Sequence, residues 1–291
     1  MPTKYVRFDW AIKKLLRQKA NFQVLEGFLS VLLKESIKIE RILESEGNQE
    51  TYDDKFNRVD IIAENSKQEI IIIEVQVNRE ADYFQRMLYG TAKVITEYMK
   101  LGEEYGTLRK VYSVNVVYFD LGQGEDYVYH GKTEFVGVHN NDKLNLTKHQ
   151  KHSFNQEELS GIFPEYYVLK VNQFNDVAKD SLDEWIYYLK NSDIKLEYDA
   201  QGLDLVKEKL MYERLTTFEQ IGYVRHLGNM SIEKGTIQTS LEDGIEIGKI
   251  KGIQEATLII AREMISDGEN DEKIMKYTKL SKEQIEELRN I

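Results

Sequence analysis

Hydrophobic residues change their spacing along the chain, and this change predicts an α/β first part followed by an all-helical second part. Apolar positions at helical spacing over residues 9–35, interrupted near 20–21, predict a short helix and a longer amphipathic helix. A polar loop is predicted over 44–55, and a long helix over 78–104. Runs rich in β-branched and aromatic residues predict strands at 37–43, 59–63, 70–73, 111–119, 127–139 and 166–170.

The second part carries helical spacing without strand signals. Amphipathic stretches around 182–189 and over 203–228 precede four glycines, at 235, 244, 248 and 252, which predict a flexible stem or a pairing helix. Three short helices are predicted to follow, over 256–265, 271–277 and 281–288, the last with a capping box of Ser281 and Gln284. The predicted division is an α/β core over 1–175, a helical extension packed on it over 176–230, a glycine-punctuated stem over 231–256 and a small helical unit over 257–291.

The apolar runs at 59–63 and 70–73 flank a short polar segment and predict a β-hairpin. If Asp60 pairs with Glu74, the pairs between them include Ile61 with Ile73 and Ile62 with Ile72. The two carboxylates then lie on one face with Cβ atoms roughly 5 Å apart. Gln76 returns to that face two residues later, because side chains alternate along a strand.

Two interpretations of this acidic pair remain open from the spacing alone. Carboxylates that face each other repel, and the neighbouring isoleucines lower the local dielectric, so a hard divalent cation such as Mg²⁺ would relieve the site. The alternative is an edge hairpin whose acids lie on a solvated face. The spacing permits a metal site and does not require one.

Composition narrows the classes of function. A chain of 291 residues with 41% hydrophobic positions buries a full core, and zero cysteines exclude disulfides and thiolate metal sites, as expected in a reducing cytoplasm. No apolar run approaches the ~18 residues that span a bilayer, and the N-terminus has no apolar signal segment. A net charge of −11 argues against indiscriminate coating of nucleic acid. The basic residues of the first twenty positions predict either a local basic face or a solvated helix surface.

The hairpin resembles the active site of the PD-(D/E)XK nucleases, with an Asp on one strand and Glu-x-Gln ending an isoleucine run on the next. More particularly, the chain resembles the transposase-like recombination-promoting nucleases of bacteria, over nearly its whole length. The supporting stretches are the FD-x-x-x-K motif (Phe8, Asp9, Lys13), the FLSVLL helix, RMLYG and SLDEWIYYLK. The resemblance implies a restriction-endonuclease-like α/β core, with a small mixed sheet flanked by helices and an all-helical C-terminal extension.

The resemblance also implies an activity, the metal-dependent hydrolysis of DNA. Asp60, Glu74 and the carbonyl of Val75 are expected to hold Mg²⁺, or Mn²⁺ in its place. Gln76 stands where the larger superfamily has lysine, and its amide orients water without supplying charge. Arg86 is the candidate for the missing charge.

Glu26 is a further candidate, because many of these nucleases place a glutamate of the first core helix near the metal.

The alternative to an active nuclease is a catalytically weak or inactive module that assembles through its C-terminal helices. Either protein is expected to form a homo-oligomer, a dimer, through the stem and those helices.

Overall fold

The computed structural model describes residues 4–43, 59–98 and 104–290. The predicted loop at 44–55 and the predicted helical residues 99–103 lie outside the described residues. The helices are α1 (Phe8–Lys14), α2 (Phe22–Leu33), α3 (Tyr83–Glu97), α4 (Lys148–Phe154), α5 (Ser181–Asn191), α6 (Leu203–Lys209), α7 (Thr217–Ser266), α8 (Asp271–Thr278) and α9 (Lys282–Arg289). The strands are β1 (Ile39–Leu43), β2 (Ile61–Asn65), β3 (Ile70–Gln76), β4 (Val111–Val117), β5 (Val128–Gly131) and β6 (Glu165–Lys170).

The chain divides into two compact units, Met1–Tyr223 and Val224–Ile291. The first unit contains a mixed sheet with strand order β1-β2-β3-β4-β6-β5. Strand β3 runs parallel to β4 and β4 runs parallel to β6, while the remaining neighbours are antiparallel. This confirms the predicted α/β class with a mixed sheet flanked by helices and a helical C-terminal region.

The β2–β3 hairpin has the predicted register, with Ile61 opposite Ile73 and Ile62 opposite Ile72. Asn65 closes it, because its side-chain oxygen accepts the backbone N–H groups of Lys67 at 3.0 Å and Glu69 at 2.9 Å. Side chains of this kind stabilise turns by replacing backbone hydrogen bonds. A fixed turn sets the register, and the register decides which residues meet at the open end of the hairpin.

The isoleucine run of β3 is buried throughout, as expected for a central strand covered on both faces. Ile70 and Ile72 pack with Val94 of α3, so this helix covers one face of the hairpin. At Gly27 of α2, a Cβ would lie 2.6 Å from the Cα of Gly202. Only glycine permits this contact, which brings α2 against the turn before α6.

Helix α3 begins at Tyr83, five residues later than predicted. The preceding residues form a loop in which the Asn78 carbonyl accepts a hydrogen bond from the Gln76 amide. Strand β5 ends at Gly131, well short of 139, because its partner β6 begins only at Glu165, after a proline.

The helical stretch predicted over 203–228 is broken between α6 and α7. Helix α7 begins anew because Thr216 and Glu219 form a capping box, in which the Thr216 N–H donates to the Glu219 carboxylate at 2.8 Å and the Glu219 N–H donates to the Thr216 hydroxyl at 3.3 Å. The glycine stem and the helix predicted at 256–265 are both parts of α7. Each glycine lowers helix propensity by ~1 kcal/mol but does not forbid a helix.

The second unit has its own small core. Ala261 of α7, Ile274 of α8 and Ile285 of α9 are fully buried against one another. The predicted capping box at the start of α9 is present, with the Gln284 N–H donating to the Ser281 hydroxyl and the Ser281 N–H donating to the Gln284 side chain. Within the ranges that the structure describes, no helix is both long enough and apolar enough to cross a membrane.

Candidate active site

Asp60 and Glu74 meet at the open end of the β2–β3 hairpin. The backbone N–H of Asp60 donates to Oε2 of Glu74 at 3.2 Å, and the N–H of Val75 donates to Oδ2 of Asp60 at 2.8 Å. Each carboxylate therefore has one oxygen fixed by the backbone of the other strand. The antiparallel register makes this exchange possible, because it brings the residue before β2 beside the end of β3.

Both acids are removed from water. The side chain of Asp60 is 12% exposed and that of Glu74 is 8% exposed. Burial raises the pKa of Asp60, and burial together with repulsion from Asp60 raises the pKa of Glu74 from 4.5 to about 7. The pair therefore resists carrying two negative charges unless positive charge is nearby.

Two basic side chains approach the other carboxylate oxygens. Nζ of Lys13, from α1, lies 3.4 Å from Oδ1 of Asp60. Nη2 of Arg86, from α3, lies 2.5 Å from Oε1 of Glu74, while its Nη1 donates to Glu80 at 2.6 Å. The oxygens that the backbone does not hold are thus the ones that meet cations.

Gln76 is tied to the loop before α3. Its Nε2 donates to the Glu80 carboxylate at 2.8 Å and to the Asn78 carbonyl at 3.1 Å. Since these bonds use the two amide hydrogens, Oε1 is the atom that this side chain presents as an acceptor. The same Glu80 oxygen also accepts from Arg86, so one carboxylate fixes both side chains.

The wall beside Glu74 is polar and ordered. Asn115 of β4 is the register partner of Glu74, and its side-chain oxygen accepts the Tyr83 hydroxyl at 3.2 Å. Its Nδ2 donates to the Ser113 hydroxyl at 2.9 Å. Burial, and then the Glu74 charge, raise the pKa of Tyr83, so this phenol stays neutral. These residues line a cleft with Glu74 and Arg86.

The structure does not bring Glu26 to this cleft. Its carboxylate accepts the Ile39 N–H at 2.9 Å and pairs with Lys38, so it is bound to the beginning of β1. Ile39 is paired with Asn65, which is five residues from Asp60 along the strand. At about 3.3 Å per residue this separation is roughly 16 Å. The expectation that Glu26 approaches the metal is therefore corrected, because its carboxylate holds the β1–β2 ladder at the opposite end.

The oxygens of the acidic pair are of the kind that a hard divalent cation takes as ligands. Within the described residues, no group of three or more His, Asp or Glu side chains is arranged to hold a metal. Mg²⁺ does not need such a group, because it commonly uses one or two carboxylates and completes its shell with water and substrate phosphate. Oδ1 of Asp60 and Oε1 of Glu74 become available to such an ion when Lys13 and Arg86 move away from them.

Sequence reasoning placed Asp60, Glu74, Gln76 and Arg86 together, and the structure brings these four into one network. It missed Lys13 and Glu80 as members. The signal for Lys13 was present in the FD-x-x-x-K motif, although spacing gave no reason to connect it with Asp60. Glu80 offered no signal, because its contacts depend on the loop between β3 and α3.

A known protein family matches most of the chain. Residues 6–221 match the model of the PD-(D/E)XK nuclease family transposases. No curated protein and no solved structure gives a match. The matched residues take in the whole sheet, the hairpin that carries Asp60 and Glu74, and the α3 helix that carries Arg86. The chain therefore belongs to the PD-(D/E)XK nuclease family of transposases.

Proposed function

We propose that this protein is a divalent-metal-dependent DNA endonuclease of the recombination-promoting, transposase-like kind. The buried carboxylate pair carries the proposal. Asp60 and Glu74 are held together by reciprocal backbone bonds although burial and repulsion oppose their charges. An arrangement that is unfavourable in isolation indicates a role with a positively charged ligand.

Asp60, Glu74 and the carbonyl of Val75 would hold Mg²⁺, or Mn²⁺ in its place. The ion would supply a Lewis acid for the phosphate and a lower pKa for a bound water. One oxygen of each carboxylate is fixed by a backbone N–H group, which leaves Oδ1 of Asp60 and Oε1 of Glu74 for the ion. The protein thus orients its ligands before the ion binds.

Gln76 and Arg86 would act on the reactants. The Oε1 of Gln76 accepts a hydrogen from the attacking water and so orients it towards phosphorus. The water oxygen forms the new bond to phosphorus, while the bond to the departing sugar oxygen breaks with its electron pair, and solvent takes up and returns the protons. Arg86, held by Glu80, contributes fixed positive charge beside the phosphate.

The substrate class follows from this chemistry and from the family. We propose DNA as the partner and the cytoplasm as the location. Because the net charge is −11, recognition would depend on a local basic face and not on the overall field. We also propose self-association through α7 and the C-terminal helices, since α7 exposes Ile237, Leu241 and Ile245 at four-residue spacing.

Cleavage of supercoiled plasmid by the purified protein tests the proposal. We expect nicked or linear product with Mg²⁺ or Mn²⁺ and none with Ca²⁺. Asp60→Ala and Glu74→Ala should each lower the rate on the order of 10²-fold or more, because each removes a charged ligand. Glu40→Gln, an exposed acid on β1, serves as the matched control. Cleavage that survives both alanine substitutions comes from a contaminant and refutes the proposal.

A second function has one observation in its favour. Asp60 is already paired with Lys13 and Glu74 with Arg86, so these two side chains offset the charges of the acids without a metal. A scaffold that no longer catalyses and assembles through its C-terminal helices would keep such pairs. Complete inactivity with every divalent cation, together with a concentration-dependent mass in sedimentation, would support this alternative.

A further inference from the structure

Lys13 occupies a different place from the lysine that Gln76 replaces. It lies near the end of α1, whose other side packs Phe8, Ala11 and Ile12 fully into the core, so the helix is rigidly placed. The Lys13 side chain is 54% exposed and extends from solvent to Oδ1 of Asp60, 3.4 Å away. A positive charge therefore reaches the acidic pair from a helix that precedes the hairpin in the chain.

The two cations of the site are held to different degrees. Arg86 is anchored by Glu74 and Glu80 at 2.5 and 2.6 Å. Asp60 is the acidic partner of Lys13 within the described residues, at the longer distance of 3.4 Å. Because Asp60 is buried, Lys13 can leave it only when another positive charge takes its place. Of the two cations, the half-exposed Lys13, with one acidic partner among the described residues, is the easier to exchange.

On the basis of the proposed function, we infer that Lys13 is a catalytic residue that contacts the scissile phosphate and supplies the charge that Gln76 lacks. A divalent cation held by Asp60 would replace the charge of Lys13, and the half-exposed ammonium would then lie on the solvent side of the acid. There it faces a non-bridging phosphate oxygen, whose negative charge grows as the water attacks. Lys13 stays protonated, forms no covalent bond and transfers no proton.

A matched pair of lysines makes the inference testable. Lys38 lies 3.4 Å from Glu26, with the lysine side chain 63% and the acid 11% exposed, which is close to the geometry of Lys13 and Asp60. The Lys38 pair lies at the opposite end of β1–β2 from the cleft. Lys13→Met and Lys38→Met thus remove equivalent ion pairs, one at the site and one away from it.

Steady-state cleavage of a labelled DNA duplex with Mg²⁺ gives the first readout. We expect Lys13→Met to lower kcat on the order of 10²-fold, with a smaller change in KM, because the contact strengthens as charge develops. Lys13→Arg should recover activity to within about tenfold of wild type, since it restores charge with a different shape. Lys38→Met should match wild type.

Binding of Mn²⁺ alone, measured by electron paramagnetic resonance, separates catalysis from positioning. Lys13→Met should bind Mn²⁺ at least as tightly as wild type, because Lys13 and the ion compete for Oδ1 of Asp60. If Lys13 merely positioned Asp60, Mn²⁺ affinity would fall with kcat, and that result overturns the inference.

The inference is overturned, and the proposed function is not, if kcat of Lys13→Met stays within about threefold of wild type. The same holds if Lys38→Met lowers kcat as much as Lys13→Met does. Absence of cleavage by the wild-type protein overturns the proposed function and the inference together.

Discussion

Replacing Glu74 by glutamine is expected to stabilise the metal-free protein at neutral pH while abolishing cleavage. Burial and the neighbouring Asp60 raise the pKa of Glu74 in the folded state to about 7, from an ordinary value of 4.5. The folded protein therefore binds this proton more tightly than the unfolded chain. The resulting stabilisation is fully present below pH 4.5 and is lost as pH rises through 7. A glutamine at position 74 is neutral at every pH, so the variant does not lose this stabilisation as pH rises.

The size of the effect follows from the two pKa values. Each pKa unit is worth about 1.4 kcal/mol, so the difference between 4.5 and about 7 corresponds to about 3 kcal/mol above pH 7. The pKa of about 7 already includes the attraction of Arg86, which keeps Glu80 as a partner in the variant. We therefore expect a net gain of about 1–3 kcal/mol at pH 8, or about 2–10 °C in Tm, and no gain at pH 4.5.

Thermal unfolding in EDTA, followed by circular dichroism between pH 4.5 and 8, measures this difference. Glu40→Gln, an exposed acid on β1, removes the same charge without the burial and serves as the control. Added Mg²⁺ or Ca²⁺ should raise the Tm of wild type and leave that of Glu74→Gln nearly unchanged, because a ligand stabilises the state that binds it. The reasoning is refuted if Glu74→Gln melts below wild type at pH 8 in EDTA, or if the gap between them does not depend on pH.

Two further substitutions test how the site and the core are supported. Glu80→Ala should lower kcat about tenfold with little change in Tm, because it frees the Gln76 amide and the Arg86 guanidinium. A clear fall in Tm together with the fall in kcat would point to a structural role instead. Gly27→Ala should lower Tm although alanine favours helices by ~1 kcal/mol, because its Cβ would lie 2.6 Å from the Gly202 backbone. Urea unfolding checks the second prediction, and a midpoint at or above that of wild type would contradict it.

Local sequence patterns were sufficient for the parts of the fold that depend on neighbouring residues. The hairpin register was predicted on the condition that Asp60 pairs with Glu74, and the structure has Ile61 opposite Ile73, as that pairing requires. The glycine-rich stretch was ambiguous, since glycine weakens a helix without forbidding one, and the structure makes it part of the 50-residue α7. Strand β5 was overextended because strand length depends on a partner, and β6 supplies one only from Glu165.

The sequence by itself determined the hairpin, its acidic pair and the place of Gln76 and Arg86 after it, because these residues are separated by short stretches of regular structure. Only the tertiary structure decided what surrounds that pair. Lys13 reaches Asp60 because α1 packs across the core, and Glu26 remains away because its carboxylate is bound to β1. Contacts between distant segments depend on how helices pack on the sheet, and the spacing of residues along the chain does not encode that packing locally.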